Sequence, residues 1–244
     1  MNPPLEGFIL KTIDYKDTSK LLYAYTKKGH ISMIARGVKK MNSPLRHQAQ
    51  THMRLKMDLS SGKLPTLKEA QLIDHFPKIK ADFIRSNCLY AISELIYHNV
   101  HPDDNHEKLY PFLLKVADTL KTTDTPLEAL AIFEMKLLNF EGVGLNLRAC
   151  DVCGEKEDLI LDADSGVLVC ETHANKAHHL FGENIAKAIQ YFYYVDILTF
   201  VPMRLSEQEM RLVFEITDGL YKDHLGFHGK AKAILKSLLT EASS

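Results

Sequence analysis

The sequence predicts an α+β fold: a small five-stranded β-barrel, then an all-helical domain that carries a short cysteine-containing insertion. Three observations support this prediction. Short apolar segments that alternate with polar residues fill the first part of the 244-residue chain. After Asp74 the spacing of apolar residues changes to the helical period. Three of the four cysteines then fall together in one short stretch of the helical part.

The barrel is predicted from five β-branched or apolar segments separated by turn residues. Polar turns at Lys27–His30 and Ser60–Lys63 delimit two of the hairpins. Five short strands in about 75 residues are typical of the oligonucleotide-binding (OB) barrel, although the strand count alone also permits an SH3-like barrel. The predicted strands cover residues 7–13, 21–26, 31–37, 53–59 and 67–73.

The helical domain is predicted from apolar stripes and from two helix-start signals. Thr125 to Glu128 has the spacing of a capping box with proline at the first helical position. Ser206 to Glu209 has the same capping-box spacing. The first of these helices should stop at Gly142–Gly144, and the last helix of the chain is basic at its start. Cys88 lies alone in an apolar helical pattern, which predicts a buried core thiol.

Four soft ligands mark the insertion. They form two short motifs, Cys-x2-Cys and Cys-x2-His, with sixteen residues between them. Three sulfurs and one imidazole are what a tetrahedral Zn²⁺ site requires, and four protein ligands leave no position for substrate. The spacing therefore predicts a structural zinc site rather than a catalytic one, with a disulfide as the weaker alternative. The predicted ligands are Cys150, Cys153, Cys170 and His173, and His178 and His179 lie near enough to compete with His173.

The predicted organisation is a nucleic-acid-binding barrel domain over residues 1–80 and a helical domain over 81–244, with the zinc-binding insertion at 147–179. Charge divides in the same way. Residues 1–80 hold 15 Lys and Arg against 6 Asp and Glu, whereas the whole chain holds 30 and 31. The remainder is therefore strongly acidic. Such a split indicates that one part meets a polyanion, although a solvated charged surface is the simpler alternative.

Several functional classes lack their motifs. A zinc deaminase needs His-x-Glu with Pro-Cys-x-x-Cys, and a metalloprotease needs His-Glu-x-x-His; neither pattern occurs in the chain. A phosphate-binding Gly-x4-Gly-Lys loop is missing too. With no signal-peptide pattern and no apolar run of about 18 residues, we expect a cytoplasmic protein without a membrane span.

Several segments, taken in order, resemble the RecO family of bacterial recombination mediators. The segments are residues 13–22, 26–31, 35–40 and 133–138, then Gly142 and Gly144 before the cysteines, and His224–Gly226 before a basic last helix. The resemblance implies an OB-fold, a helical domain with a zinc-binding insertion, and no catalytic activity. Two departures concern the insertion: His173 stands where many relatives have cysteine, and residues 165–169 lack a double glycine.

The resemblance also implies partners and a role. It implies binding to single-stranded and double-stranded DNA, annealing of complementary strands, and cooperation with RecR. It further implies loading of the recombinase filament onto DNA coated by single-stranded DNA-binding protein, whose acidic C-terminal tail would dock on the helical domain, and association with the nucleoid. The alternative is a zinc-stabilised protein-interaction or transcription-factor module without general DNA binding. The cations considered for the tail are Lys187, Arg204, Arg211, Lys230 and Lys232.

The basic half supplies the candidate DNA contacts. Phosphates are held chiefly by Lys and Arg that displace counterions, so binding should depend on salt and little on sequence. The stacking candidates are few, namely Tyr15, Tyr23 and Tyr25, so we expect charge to dominate over base stacking. The predicted main patch is Arg36, Lys39, Lys40 and Arg46, with Lys11, Lys27 and Lys28 assisting.

Overall fold

The computed structural model of the protein describes residues 3–241. The chain separates into two compact units, Met1–Leu114 and Lys115–Ser244. The first unit holds a five-stranded sheet and the helices that follow it directly. The second holds most of the remaining helices and a small three-stranded sheet. The predicted α+β class, with an N-terminal barrel before a helical region, is confirmed.

The five predicted strands form one antiparallel sheet with the strand order β3-β2-β1-β4-β5. A parallel bridge between Ile34 and Thr66 joins the two ends of this order, and the Ile34 N–H donates to the Pro65 carbonyl at 2.9 Å. The sheet therefore closes into a partly open five-stranded barrel of the OB kind. The strands are β1 (Leu5–Tyr15), β2 (Ser19–Thr26), β3 (Gly29–Ala35), β4 (Arg54–Leu59) and β5 (Leu67–Asp74).

Alternating residues of these strands fill the barrel. Ile9, Leu22 and Met33 are fully buried inside it, and Val38 and Ala49 pack against the same core from the segment that follows β3. The unit continues with α1 (Pro77–Lys80), α2 (Phe83–Asn99) and the start of α3 (His106–Leu120). Helix α2 packs on β1, so part of the outer face of the barrel is covered by helix.

Gly29 shows how closely this covering packs. Its φ of +93° lies in the region that favours glycine, at the turn between β2 and β3. A Cβ there would come within 2.8 Å of His106 Nε2. The His106 Nδ1 atom lies 2.9 Å from the hydroxyl of Tyr25, whose ring is fully buried. The Lys-Lys-Gly-His turn therefore needs glycine for its backbone conformation and for contact with α3.

The second unit contains α4 (Pro126–Phe140), α5 (Glu183–Tyr194), α6 (Glu207–Leu225) and α7 (Lys230–Glu241). Ser206 forms the predicted capping box, because its hydroxyl accepts from the Glu209 N–H while Glu209 accepts from the Ser206 N–H. The capping box predicted at Thr125 is wrong, although α4 does begin at Pro126. Glu128 is buried and accepts instead from the N–H groups of Met203 and Leu205.

A buried charged cluster joins α4, α6 and α7. Glu134 is 1% exposed, and its carboxylate lies 2.9 Å from Lys232 Nζ and accepts a hydrogen bond from Thr217. Burial raises the pKa of Glu134, and the attraction of Lys232 opposes that rise. Asp218 also contacts Lys232 at 2.9 Å. The last helix is thus held by an internal ion pair as well as by its apolar residues.

The insertion forms its own small sheet with the order β7-β6-β8. Its strands are β6 (Leu159–Asp162), β7 (Val167–Cys170) and β8 (Leu180–Phe181), and a single turn of 3-10 helix covers Glu171–His173. Leu161 and Leu168 face each other across the hairpin and are buried. The sheet is small, and β6 packs against α5, which covers its apolar face.

Candidate functional site

The four predicted zinc ligands converge at one end of this small sheet. Their ligand atoms all lie within 4.8 Å of one another. Cys153 Sγ and Cys170 Sγ are 3.8 Å apart, and His173 Nδ1 lies 3.7 Å from Cys150 Sγ and 3.2 Å from Cys170 Sγ. A tetrahedral zinc site has edges of about 3.8 Å between sulfurs and about 3.5 Å between sulfur and nitrogen. The donor set and spacing therefore fit a metal ion.

Local structure explains how the ligands are held. Cys150 and Cys153 lie on a tight turn, in which the Gly154 N–H donates to the Cys150 carbonyl and Gly154 has a φ of +79°. Cys170 ends β7, where it pairs with Leu159 of β6. His173 ends the 3-10 turn that follows. Each motif is local in sequence, and the hairpin of β6 and β7 brings the two motifs together.

The alternatives weighed for the quartet do not match the geometry. The cysteines are free thiols, and 3.8 Å between two sulfurs is far longer than a disulfide bond of about 2.05 Å. His178 and His179 do not compete with His173. The Nδ1 atom of His178 lies 2.7 Å from Asp162, and that of His179 lies 2.9 Å from Asp164.

The Cys150 thiol is suited to metal binding because its pKa is low. Desolvation acts to raise that pKa, but backbone N–H groups of Cys153, Cys170 and Val152 point at the sulfur and lower it to about 6. The thiolate is the form that binds metal. Cys88 is fully buried on α2, as expected for a core thiol, and does not belong to the cluster.

The main predicted DNA patch lies on the segment that follows β3. Arg36, Lys40 and Arg46 are exposed there, and they have no ion-pair partner among the described residues. Lys39 differs, because its Nζ lies 2.7 Å from Asp14 at the end of β1, and this contact lowers the pKa of Asp14. The Lys39 N–H donates to the carbonyl of Thr18, which fixes the segment against the β1–β2 turn.

The three assisting lysines are not all near this patch. Lys11 is exposed in the middle of β1, with its Nζ 4.7 Å from the ring centre of Tyr97. Lys27 and Lys28 form the turn at the far end of β2, which is eight residues or roughly 25 Å long. Lys28 also lines a cleft of about 470 Å³ beside the β4–β5 turn. A strand contacting every predicted cation would therefore run along the barrel.

The aromatic stacking candidates are largely engaged within the protein. Tyr25 is fully buried, and its ring lies 6.1 Å from that of Tyr110. Tyr23 meets Tyr97 edge to face at 5.4 Å. Tyr15 is partly exposed, with Lys16 above its ring. The barrel thus presents cations more freely than aromatic rings.

Most cations considered for the helical domain are occupied. Arg204 pairs with Asp124 at 2.7 Å, Arg211 pairs with Glu215 at 3.1 Å, and Lys187 pairs with Glu183. Lys232 is buried with Glu134, and Lys230 is exposed at the start of α7. An acidic ligand would therefore have to displace a carboxylate at four of these five positions.

Two cations that the sequence did not single out do converge. Lys136 and Arg148 line a cleft of about 510 Å³ together with Asn139 and Tyr194. The Arg148 guanidinium lies 5.5 Å from the ring centre of Tyr194, and burial lowers the pKa of Lys136. Neither cation has an ion-pair partner among the residues that the structure describes. The sequence does not predict this cleft, because its lining residues come from three separate segments: α4, the insertion and α5.

Comparison with known proteins identifies the family. The family model described as Recombination protein O N terminal matches residues 1–76, and the one described as Recombination protein O C terminal matches residues 80–233. The DNA repair protein RecO of Bacillus cytotoxicus is 24% identical over 240 residues, which cover 96% of each chain. The protein of the same description from Bacillus mycoides is 23% identical over the same share of both chains.

The barrel and the helical region each match one of the two family models. Together they define a two-part recombination protein. The chain belongs to the Recombination protein O (RecO) family, as the resemblance of its motifs indicated. None of the helices within residues 3–241 is long and apolar enough to span a membrane.

Proposed function

We propose that this protein is a recombination mediator in DNA repair that binds single-stranded and double-stranded DNA through its barrel and anneals complementary strands. With RecR it helps to load the recombinase onto DNA coated by single-stranded DNA-binding protein, at the nucleoid. Its role is binding and assembly rather than catalysis. The observation that carries the proposal is the set of exposed, unpaired cations after β3, on a barrel whose family works in recombination.

The physical basis of DNA binding is counterion release. Each Lys or Arg that meets a phosphate displaces condensed cations from the DNA, so affinity falls steeply as salt rises. Arg36, Lys40 and Arg46 contribute most, because no carboxylate within residues 3–241 forms an ion pair with them. Lys39 contributes after exchanging Asp14 for a phosphate. Such contacts read no bases, which suits a protein that acts on any damaged sequence.

The metal in this proposal is a structural Zn²⁺ held by the cluster of three cysteines and His173. Four protein ligands close the coordination sphere, so the ion would supply folding energy and no chemistry. The insertion supports this role, because the ion would join the turn of Cys150 and Cys153 to the end of β7.

The helical unit would receive the acidic C-terminal tail of single-stranded DNA-binding protein. We place the tail in the cleft lined by Lys136 and Arg148, because neither cation has an ion-pair partner within residues 3–241. Lys136 Nζ donates to the carbonyl of Tyr193. The carboxylates of the tail would meet Lys136 and Arg148, and an apolar side chain would pack on Tyr194. We prefer this cleft to the five cations that the sequence suggested for the tail, because four of those five are paired within the unit.

A salt titration tests the central proposal. Fluorescence anisotropy of labelled single-stranded and duplex oligonucleotides of several sequences should show binding that weakens steeply with salt and varies little with sequence. Mixing complementary strands with the protein should then accelerate duplex formation. No binding even at low salt would instead favour the alternative of a zinc-stabilised protein-interaction module.

A peptide titration tests the tail assignment separately. The tail peptide should bind the intact protein, and Arg148→Glu should weaken that binding at least tenfold. Arg211→Glu is the matched control, because Arg211 is also exposed on the helical unit but is paired with Glu215. Equal effects of the two variants would remove the cleft from the proposal.

A further inference from the structure

The outer face of β1, β2 and β3 carries an aliphatic row across three strands. Ile13 lies opposite Leu21, and Leu21 lies opposite Ile34. Directly opposed residues of an antiparallel pair project to the same face of the sheet. The neighbouring positions Leu22 and Met33 are fully buried inside the barrel, so the row itself faces outward.

This aliphatic row (Ile13, Leu21 and Ile34) remains accessible. Ile13 is 40% exposed, and the other two side chains are partly exposed. Adjacent strands lie about 4.8 Å apart, so three strands give a strip of roughly 10 Å, which accommodates one or two nucleobases.

Cations flank the row on its two long sides. In the adjacent row, Lys11 lies opposite Tyr23, two residues from Ile13 on the same face of β1. On the other side, Arg36 follows β3, and the Gly37 N–H donates to Ser19 Oγ at the start of β2. The patch therefore alternates cation, apolar strip and cation, which matches the phosphates and exposed bases of one unpaired strand.

The two tyrosines that β2 places on this face are engaged within the protein. Tyr25 is buried beneath His106 and Tyr110, and Tyr23 meets Tyr97. The tyrosines of β2 on this face are therefore occupied. The row between them and the partly exposed Tyr15 of β1 is aliphatic.

We propose that the aliphatic row holds the bases of an unpaired DNA strand, with Lys11 and Arg36 on its phosphates. The proposal rests on DNA binding by the barrel and specifies how that barrel distinguishes unpaired strands from duplex. A duplex keeps its bases stacked inside the helix and meets the cations alone, whereas an unpaired strand also buries base surface on the row. The row is then a preference for unpaired DNA that does not depend on base sequence.

Substitutions at Ile13 test this in the full-length protein. Ile13→Ser removes the apolar contact. It should lower the affinity for a single strand, whose sequence matches one strand of the duplex, roughly threefold to tenfold. Ile13→Tyr places an aromatic ring on the row and should raise single-strand affinity by about threefold or more. Affinity for the duplex, and the dependence of single-strand affinity on salt, should stay unchanged in both variants.

Ile73 supplies the matched control, because it is 43% exposed on β5, outside this face. Ile73→Ser and Ile73→Tyr should leave the ratio of single-strand to duplex affinity unchanged. The gain expected from Ile13→Tyr cannot arise from misfolding, and circular dichroism of each variant checks the fold.

The outcomes separate the two proposals. If the unaltered protein binds no DNA, the proposed function and this inference both fail. If it binds DNA but the Ile13 variants keep the ratio of single-strand to duplex affinity, only the inference fails. Loss of tail-peptide binding in Ile13→Ser with unchanged DNA binding would make the row a peptide-docking surface and would overturn its assignment to DNA.

Discussion

In the barrel, Arg36, Lys40 and Arg46 project from the segment after β3 with no carboxylate partner among the described residues, whereas in the helical unit Arg204 and Arg211 each face one. The interiors differ in the same way. The barrel unit buries a neutral His52, and the helical unit buries the pair of Glu134 and Lys232. Charge in the helical unit therefore helps to hold the structure. Arg36, Lys40 and Arg46 of the barrel are instead available to meet a polyanion.

The largest expected effect comes from the cluster of Cys150, Cys153, Cys170 and His173 in the helical unit. Structural zinc sites in small peptide hosts have apparent binding free energies of about 10–16 kcal/mol, which is also folding free energy. Cys170→Ala should therefore lower zinc content from about one ion per chain to near zero. Hydrogen exchange of the backbone amides in β6 and β7 should become fast, because the metal no longer joins the two ligand motifs. Metal analysis and hydrogen exchange measure both effects.

Cys88→Ala is the control for this loss. Cys88 is the cysteine outside the cluster, so the variant should keep its zinc while losing some core packing on α2. Full zinc content in Cys170→Ala would contradict the assignment of the cluster.

The next largest effect should come from the buried ion pair. Lys232→Ala leaves Glu134 as a buried charge without its partner, which costs about 3–5 kcal/mol of unfolding free energy. Lys236→Ala removes a more exposed lysine that lies 2.7 Å from Asp218, and such pairs contribute about 0–1 kcal/mol. Chemical denaturation of both variants makes the comparison. Equal losses would show that burial of charge does not matter to this unit.

Burial of His52 in the barrel unit should make the unfolding free energy depend on pH. Burial lowers the pKa of His52 to about 3, because the charged ring would lie in the core. Above pH 6.5 the ring is neutral in both folded and unfolded chains, whereas below it only the unfolded chain takes up the proton. Stability should therefore fall by about 1.4 kcal/mol per pH unit as pH drops from 6.5 towards 3.

His52→Asn isolates this contribution from that of other groups. Asparagine tolerates the φ of +57° at this position and cannot titrate. Denaturation at pH 7.5 and pH 4.5 should show a loss of stability that is larger in the unaltered protein than in His52→Asn by about 2–3 kcal/mol. The same pH dependence in both proteins would mean that His52 is protonated in the fold.

Reversal of two cations after β3 should change DNA binding with little change in stability. Lys39→Glu combined with Lys40→Glu should weaken DNA binding roughly tenfold to a hundredfold for every sequence and should reduce its dependence on salt. The unfolding free energy should change by less than about 1 kcal/mol, because the pair of Lys39 with Asp14 is exposed. Lys187→Glu with Lys222→Glu is the control on the helical unit. DNA affinity that survives the barrel reversal would place the phosphate contacts elsewhere.

Local features could be predicted from the sequence, and long-range ones could not. The strands followed from alternation, and the metal cluster followed from two motifs whose spacing is itself the signal. The pairing of Arg204 with Asp124 depends on how distant segments pack, so the sequence does not show which cations of the helical unit are unpaired. The cleft of Lys136 and Arg148 was missed for the same reason. The residues around Tyr25 in the sequence do not predict that α3 buries its ring.

The smallest expected effect tests this distinction at two helix starts that have the same sequence pattern. Ser206→Ala removes a hydroxyl that accepts from the Glu209 N–H, so it should cost about 1 kcal/mol of unfolding free energy. Thr125→Ala removes no cap, because Glu128 is engaged with the N–H groups of Met203 and Leu205 and the Thr125 hydroxyl contacts Thr123 instead. Its cost should stay within about 0.5 kcal/mol. Denaturation midpoints of the two variants decide the matter: equal costs would mean that the sequence pattern at Thr125 acts as a cap after all, despite the engagement of Glu128 elsewhere.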